Sequence, residues 1–261
     1  MSNELFDTHC HLTSPELLKR IGEVFANAGE AGVSRLITVA CRPDEFEPAL
    51  ALRAASAGLR IAAGIHPHEA ARVSESDWPT LASVWQQDRV VAAGEMGLDY
   101  HYDFSPRETQ RAVFERQLAM AAATMLPLVI HSREAQADVI AMLVGHGFEK
   151  RRVVFHCFSG TPEEAAEIRD HGWWTSFTGL ITFKNCAPQR QACIETPLEQ
   201  LMFETDSPYL SPEPVRRMRP NEPANVAHTI RFAAQARGLS FEELALQSTA
   251  NACRFFGIDS V

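Results

Sequence analysis

The sequence predicts a (β/α)8 barrel, or TIM barrel, that spans residues 1–261 as a single domain. Short apolar segments alternate with helical patterns along the whole chain, and eight such segments occur. Strands buried on both faces of a parallel sheet have this near-continuous apolar character, and eight strands with intervening helices make up this barrel. An open, doubly wound sheet is the alternative. That fold needs a glycine-rich turn after its first strand, and THCHLTSP (8–15) contains no glycine.

The predicted strands are short, largely apolar and often β-branched. In chain order they are LFDTHCHL (5–12), RLITVA (35–40), RIAAGIH (60–66), VVAAGE (90–95), PLVIH (127–131), VVFHCF (153–158), WWTSFTG (173–179) and LMFETD (201–206).

Helical signals lie between these strands. ERQLAMAAATM (115–125) is rich in Ala, Leu and Met, which favour helix. Thr161 and Glu164 form a capping box with Pro162 at the first helical position. Asn221 is the expected N-cap of the helix that follows it, and Gly238 is expected to end that helix.

Composition excludes several classes of protein. No apolar run reaches the length of a membrane span, and MSNELFDTH lacks the basic and apolar regions of a signal peptide. The six cysteines form no CxxC pair, so free thiols in a reducing compartment are expected. We therefore expect a cytoplasmic protein. The net charge of −9 argues against broad, non-specific binding to nucleic acid but not against a metal site that accepts phosphate.

Metal-binding or titratable side chains stand at the ends of most predicted strands. They are His9, His11, His66, Glu95, His131, His156 and Asp206. One such histidine is more often structural than functional. A buried carboxylate, however, needs a cation, an ion pair or a metal, and Arg133 offers an ion pair. Because the carboxyl ends of barrel strands share one mouth, convergence of the set favours a metal site, most simply a binuclear one.

The alternation of side chains along a strand divides the first motif. His9 and His11 share one face of the strand and can converge on one ion. Cys10 and, next to His156, Cys157 point the other way and are expected to pack. Asp7, two residues before His9, is expected to face the same side of the strand and could support a ligand from deeper in the barrel.

Eight motifs run in order along nearly the whole chain: DTHCH (7–11), GIHPH (64–68), GEMGLDY (94–100), IHSR (130–133), FHCFSG (155–160), SFTG (176–179), FETDSPYL (203–210) and RPNEPANV (219–226). Together they resemble the TatD family of metal-dependent hydrolases in the amidohydrolase superfamily. The resemblance implies a TIM barrel with two divalent ions. It also implies hydrolysis of DNA phosphodiesters, typically by a 3′-to-5′ exonuclease that prefers single strands.

The resemblance also implies which residues bind the ions. His9, His11 and Asp206 would bind one ion and His131 and His156 the second, with Glu95 between the two. Many superfamily relatives carry a carboxylated lysine at that bridging position. VVAAGEMGLD contains no lysine, which favours the TatD branch.

Roles in catalysis follow as hypotheses. Glu95 and Asp206 are the expected catalytic carboxylates, with a hydroxide between the ions attacking phosphorus and Asp206 orienting or deprotonating that water. Arg133 is expected to bind a phosphate oxygen, with an ion pair to Glu134 or Asp138 as the alternative.

Other substrate contacts are less sharply defined by the sequence. His66 or His68 is a candidate donor to the leaving oxygen or a phosphate, and Asp99 a candidate support for a histidine or for Arg133. Tyr100 could stack on a base or simply pack. Arg219 could contact a phosphate or belong to a solvated arginine cluster in RRMR (216–219).

The nature of the ions and of the substrate stays open at this level. Four imidazoles suit zinc, manganese or iron better than magnesium, although magnesium is usual for the family. Single-stranded DNA is the expected substrate. Hydrolysis of amides, esters or lactones on the same site is the alternative, and a non-catalytic binding module is a third. We expect a monomer with no obligate protein partner.

Overall fold

The computed structural model describes residues 4–102 and 104–258, so the ends of the predicted domain lie outside the described residues. Parallel strands form one sheet, in sequential order from β1 to β8. They are β1 (Leu5–Cys10), β2 (Val33–Ala40), β3 (Leu59–Ala63), β4 (Val90–Asp99), β5 (Leu128–Arg133), β6 (Val153–Phe155), β7 (Trp174–Phe177) and β8 (Leu201–Phe203). The chain after β8 pairs with β1, because Asp206 N–H donates to His9 O at 2.9 Å and His11 N–H donates to Ser207 O at 2.7 Å. The predicted TIM barrel is confirmed.

Helices follow the strands and cover the outside of the barrel. They are α1 (Pro15–Leu18), α2 (Ile21–Glu30), α3 (Pro43–Leu52), α4 (Asp77–Val84), α5 (Arg107–Ala122), α6 (Gln136–Gly145), α7 (Pro162–Asp170), α8 (Ala187–Glu195), α9 (Val226–Arg237) and α10 (Phe241–Phe256). Within the described ranges, no helix combines the length and apolar character needed to cross a membrane.

Two apolar layers hold the barrel together. The larger layer lies between the strands and the helices. The smaller one fills the barrel with side chains from most strands, such as Phe6, Val39, Val129 and Met202, and includes Phe255 near the end of α10. Interior filling of this kind makes the barrel a packed core with a site only at its mouth. All six cysteines are free, as predicted.

Several predicted bounds shift in the structure. β3 ends at Ala63, so His66 lies in the following loop, just before a 3-10 helix (Pro67–Arg72). β4 and β5 run past Glu95 and His131, to Asp99 and Arg133. The helix predicted at 115–125 starts earlier, at Arg107, and ends at Ala122. Sequence propensity misplaces such bounds because pairing with the neighbouring strand extends a strand beyond its apolar run.

The predicted helix caps have different outcomes. The capping box of Thr161 and Glu164 is confirmed, and Gly238 ends α9 with a φ of 69°. The prediction that Asn221 caps this helix is wrong, because α9 begins at Val226 with Asn225 as its N-cap. The side-chain amide of Asn221 instead donates to the backbone oxygens of Thr205 and Tyr209.

A bulge in β1 sets the direction of the first motif. Asp7 pairs with Leu36 and Cys10 with Thr38, so three steps along β1 match two along β2. Phe6 lies in the interior layer but Cys10 in the outer layer, which strict alternation would not allow. Cys10 therefore packs outward as predicted. Asp7 does not support a ligand side chain from below; its carboxylate accepts hydrogen bonds from Thr205 N–H and Oγ1.

Two glycines in GEMG allow β4 to approach β5 closely. Gly94 and Gly97 have φ angles of 137° and 147°. A Cβ atom at these positions would lie 2.3 Å from Val129 O and 1.9 Å from His131 O, respectively. Only glycine tolerates such contacts and this conformation, and the close approach brings Glu95 beside His131.

Candidate metal centre

Seven side chains that the sequence singled out meet at the mouth of the barrel. They are His9, His11, His66, Glu95, His131, His156 and Asp206. They lie in or directly after β1, in the loop after β3, in β4 and β5, and in the segments after β6 and β8. The site therefore lies at the carboxyl ends of the strands, where TIM-barrel active sites are found.

The first group of donor atoms surrounds His9 and His11. The two Nε2 atoms are 3.3 Å apart, and His11 Nε2 lies 3.1 Å from Asp206 Oδ1. His9 Nε2 also lies 3.4 Å from Glu95 Oε2. Ligands at zinc-like bond lengths in a tetrahedron are roughly 3.3 Å from one another. These spacings therefore fit a divalent ion.

The second group of donor atoms surrounds the other oxygen of Glu95. Glu95 Oε1 lies 2.6 Å from His156 Nε2 and 2.8 Å from His131 Nδ1. His66 Nε2 lies 3.2 Å from Glu95 Oε1 and 3.2 Å from His131 Nδ1. The two oxygens of Glu95 thus face two separate sets of imidazoles, and His66 belongs to the second set by position.

Carboxylates on the far side of the second group hold the histidine rings. Asp99 Oδ2 lies 2.9 Å from His131 Nε2 and 2.9 Å from His68 Nε2. Glu204 Oε1 lies 3.4 Å from His156 Nδ1. Such partners fix the tautomer and direction of a ligand histidine. Asp99 contacts histidines here and makes no ion pair with Arg133 in the part of the chain that the structure describes.

The charges in this centre depend on one another. Burial alone would raise the pKa of Glu95, but the imidazoles of His156, His66 and His131 hold it well below its usual range. Burial likewise opposes ionisation of Asp206, whose hydrogen bond from His11 and nearby imidazole charges lower its pKa. Both carboxylates are therefore ionised at neutral pH and suited to bind cations. Burial lowers the pKa of His66 to about 4, which keeps this ring neutral and able to bind a metal.

Other predicted contacts lie at different distances from the centre. Arg133 is exposed and lies over the ring of Tyr102, with its Cζ atom 4.9 Å from the ring centroid. Among the described residues it pairs with neither Glu134 nor Asp138, which instead contact His101 and Arg111. The guanidinium of Arg133 can therefore reach an anion.

Tyr100 and Arg219 do not join the site. The Tyr100 hydroxyl donates to Asp138 at 2.6 Å, and Arg107 lies over the ring at 4.4 Å, so this residue connects β4 with the helices outside the barrel. Arg219 donates to Ser211 Oγ at 2.9 Å and to two backbone oxygens of its own loop. The structure thus gives Arg219 a role within the loop.

Sequence reasoning missed two residues at the centre, Glu204 and Cys41. Glu204 is almost fully buried behind His156, whereas His68, which the sequence offered as a candidate, shares Asp99 with His131. The thiol of Cys41, directly after β2, donates to Glu95 Oε2 at 3.5 Å. A usable signal existed for Glu204, because it is a carboxylate inside the apolar run LMFETD and must find buried donors. Cys41 could have been found as the polar residue that directly follows β2.

Known proteins match this chain over nearly its whole length. The family profile of TatD related DNases matches residues 6–257. The chain belongs to the TatD family. An uncharacterized metal-dependent hydrolase of Bacillus subtilis, YabD, is 36% identical over 255 residues, with 98% of this chain and all of the relative covered. A 3′-5′ ssDNA/RNA exonuclease TatD of Enterobacter lignolyticus is 34% identical over 262 residues, covering 97% of this chain and 99% of the relative.

A solved structure agrees with this assignment. The TatD homologue YJJV of Escherichia coli superposes with a TM-score of 0.93 at 28% identity, covering 99% of this chain and all of the other. The chain is therefore a metal-dependent hydrolase of the TatD family, and its clusters of His, Asp and Glu can bind metal. The predicted family and enzyme class are confirmed.

Proposed function

We propose that this TatD-family hydrolase uses two divalent ions to cleave phosphodiester bonds, and that it removes nucleotides from the 3′ end of single-stranded DNA. The observation that carries the proposal is Glu95, whose two oxygens face two separate sets of imidazole donors. The name of the Enterobacter lignolyticus relative, a 3′-5′ ssDNA/RNA exonuclease, supports the choice of substrate and direction.

The chain's own residues divide the work. His9, His11 and Asp206 would hold one ion, His131 and His156 the other, and Glu95 both. Bound divalent ions supply Lewis acidity at the phosphate and lower the pKa of water. The outer carboxylates of Asp99 and Glu204 keep the rings of His131 and His156 turned inward.

We assign to Asp206 the role of proton acceptor. Its side chain is 14% exposed, whereas that of Glu95 is 2% exposed, so Asp206 lies nearer to entering substrate and water. The contact with His11 keeps its pKa low and its carboxylate ionised. An ionised carboxylate beside the attacking water can orient it and take its proton.

We assign to Arg133 the role of binding the phosphate. Its guanidinium is exposed, is not paired with the nearby acids Glu134 and Asp138, and lies above Tyr102 next to the centre. A planar guanidinium can donate two hydrogen bonds to a phosphate. Since the chain carries a net charge of −9, such local contacts must replace a broad basic surface.

The experiment is metal analysis of the purified protein, combined with a substrate panel. Single-stranded DNA, RNA and a simple phosphodiester are incubated with zinc, manganese or magnesium, and DNA labelled at either end reports the direction. We expect two ions per chain and release of mononucleotides from the 3′ end. One ion per chain, or hydrolysis of amides, esters or lactones without any phosphodiester, would contradict the proposal.

A matched pair of variants tests the phosphate contact. Arg133→Ala should lose most phosphodiesterase activity, whereas Arg111→Ala, which removes an arginine bound to Asp138 on the helical side, should not. If Arg133→Ala leaves phosphodiester cleavage intact, the assigned role is wrong.

Asp206→Asn should abolish turnover, and wild-type turnover in that variant would refute the role of the carboxylate.

A further inference from the structure

Three exposed aromatic rings stand at the mouth of the barrel. Among residues 4–102 and 104–258, the exposed Phe, Tyr and Trp side chains are Tyr102, Phe104 and Tyr209, which are 40%, 66% and 60% exposed. Exposed apolar surface costs free energy in water, and exposed apolar patches rimmed by polar residues mark sites for ligands or partners. The restriction of the rings to one end of the barrel therefore indicates a ligand.

The rings lie on opposite sides of the mouth. Tyr102 and Phe104 follow β4, and Tyr209 follows β8. Strands run in sequential order around the sheet, so β4 and β8 are four places apart in a barrel of eight and face each other across it. The metal centre lies between the two sets of rings.

Contacts connect each set with the metal centre. The ring centroid of Phe104 is 4.8 Å from that of His68, which shares the carboxylate of Asp99 with His131. The centroid of Tyr209 is 6.1 Å from that of His11. A group bound on either set would therefore lie directly beside the reacting centre.

The rings after β4 form a surface suited to stacking. Tyr102 and Phe104 have centroids 5.4 Å apart and an interplanar angle of 26°. The guanidinium of Arg133 lies 4.9 Å from the centroid of Tyr102, so the proposed phosphate contact adjoins this surface. Flat rings next to a cation are how proteins bind the bases and backbone of single-stranded nucleic acid.

We propose that these rings form a two-sided subsite for nucleobases. Tyr102 and Phe104 bind the base on one side of the scissile phosphate, and Tyr209 binds the base on the other side. The subsite rests on the proposed nuclease function. Because the two bases are held on opposite sides of the mouth, they cannot stack on each other, so a duplex end must first unstack and unpair. The subsite thus gives a physical reason for a preference for single strands.

Steady-state kinetics with matched substrates test the subsite. Tyr102→Ala, Phe104→Ala and Tyr209→Ala are compared on single-stranded DNA and on the same strand with abasic residues at its 3′ end. Stacking on one ring is worth about 1–3 kcal/mol per base, so kcat/KM on normal DNA should fall about 5- to 140-fold per ring. On the abasic strand the same changes should have almost no effect, because the base that each ring binds is absent.

Controls separate stacking from folding and from chemistry. Leu246→Ala removes a still more exposed apolar side chain, on α10, and should change kcat/KM on neither substrate. Phe104→Tyr keeps the ring and should restore activity on DNA. Methyl p-nitrophenyl phosphate, which offers no nucleobase pair, reports the phosphodiesterase chemistry alone.

The outcomes distinguish the subsite from the function on which it rests. If the wild-type protein cleaves no phosphodiester at all, the proposed function fails. If it cleaves DNA but the alanine variants lose as much activity on the abasic strand as on normal DNA, the stacking subsite is overturned. A fluorescent base, 2-aminopurine, at the 3′ end of the strand should be quenched when it binds the metal-loaded Asp206→Asn protein. The quenching should disappear when the rings that bind this base are removed, either by Tyr102→Ala and Phe104→Ala or by Tyr209→Ala. Quenching that survives all three changes would also overturn the subsite.

Discussion

Replacing Glu204 by glutamine should weaken one of the two proposed metal sites without unfolding the protein. Glu204 Oε1 accepts the N–H of Cys157 at 2.6 Å and lies 3.4 Å from His156 Nδ1, and Oε2 accepts the hydroxyls of Ser176 at 2.5 Å and Thr8 at 3.2 Å. An amide has the same shape but carries no charge. With its NH₂ group in place of Oε2, the two hydroxyls can rotate and accept. Every buried hydrogen bond can thus be kept.

The expected loss follows from the contact with His156. Glutamine keeps an oxygen near His156 Nδ1 but removes the negative charge that faces this ring at 3.4 Å. Changes to partners behind a ligand histidine typically cost about 10- to 100-fold in metal affinity. We therefore expect the site that contains His156 to bind zinc about 10- to 100-fold more weakly.

Competition between the protein and a chromophoric zinc chelator measures both affinities. Glu204→Gln should weaken one site, keep the other and leave the melting temperature of the metal-free protein nearly unchanged. Glu163→Gln, an equal change on the exposed first turn of α7, serves as the control. Wild-type zinc affinity at both sites, in a variant that melts like the control, would refute the assigned role of Glu204.

Two further predictions follow from the same region. Removing the metal with a chelator should lower the melting temperature by about 5–10 °C when the free metal concentration had been about 100 times the Kd of a site. Such binding contributes about 2.7 kcal/mol, and 1 kcal/mol corresponds to about 2–4 °C for a protein of this size. An unchanged melting curve would argue against a preformed site. Burial raises the pKa of Asp7 to about 8 in the metal-free protein, so between about pH 4 and pH 8 the folded state binds more protons than the unfolded state and stability falls as pH rises. Asp7→Asn removes this dependence, and its melting temperature relative to wild type should therefore rise from pH 5 to pH 8; a constant difference would contradict the assignment.

The fold and the candidate ligands were accessible from the sequence for one shared reason. Parallel barrel strands are apolar on both faces, so a histidine or carboxylate that closes such a run stands out. His9, His131 and His156 were found in this way, and topology then places them together without any knowledge of side-chain positions. The same rule did not find Glu204, because the rule selects the residue that ends an apolar run. In LMFETD that residue is Asp206, and Glu204 lies inside the run.

Local rules failed where tertiary contacts override them. Strict alternation along β1 placed Asp7 below His9, but the bulge between Asp7 and Cys10 reverses the faces. The aromatic residue chosen for stacking was Tyr100, whose hydroxyl is bound by Asp138. The exposed rings at the mouth belong to positions 102 and 104, in a loop whose path no periodicity predicts.

The C-terminal motif shows most clearly how a sequence signature can act through the fold. Asn221 donates to the backbone oxygens of Thr205 and Tyr209, on both sides of Asp206. Glu222 is buried. It accepts a hydrogen bond from Asn27 of α2 at 2.7 Å and forms an ion pair with Arg20, directly before α2, at 2.7 Å.

The motif thus ties the loop after β8 to the elements after β1, across the seam where the barrel closes. Asp206 has a φ of 54°, a strained conformation that persists only when its surroundings hold it. RPNEP is therefore expected to matter for catalysis because it fixes Asp206 and the ring of Tyr209, and no contact between Arg219 and phosphate is needed to explain it.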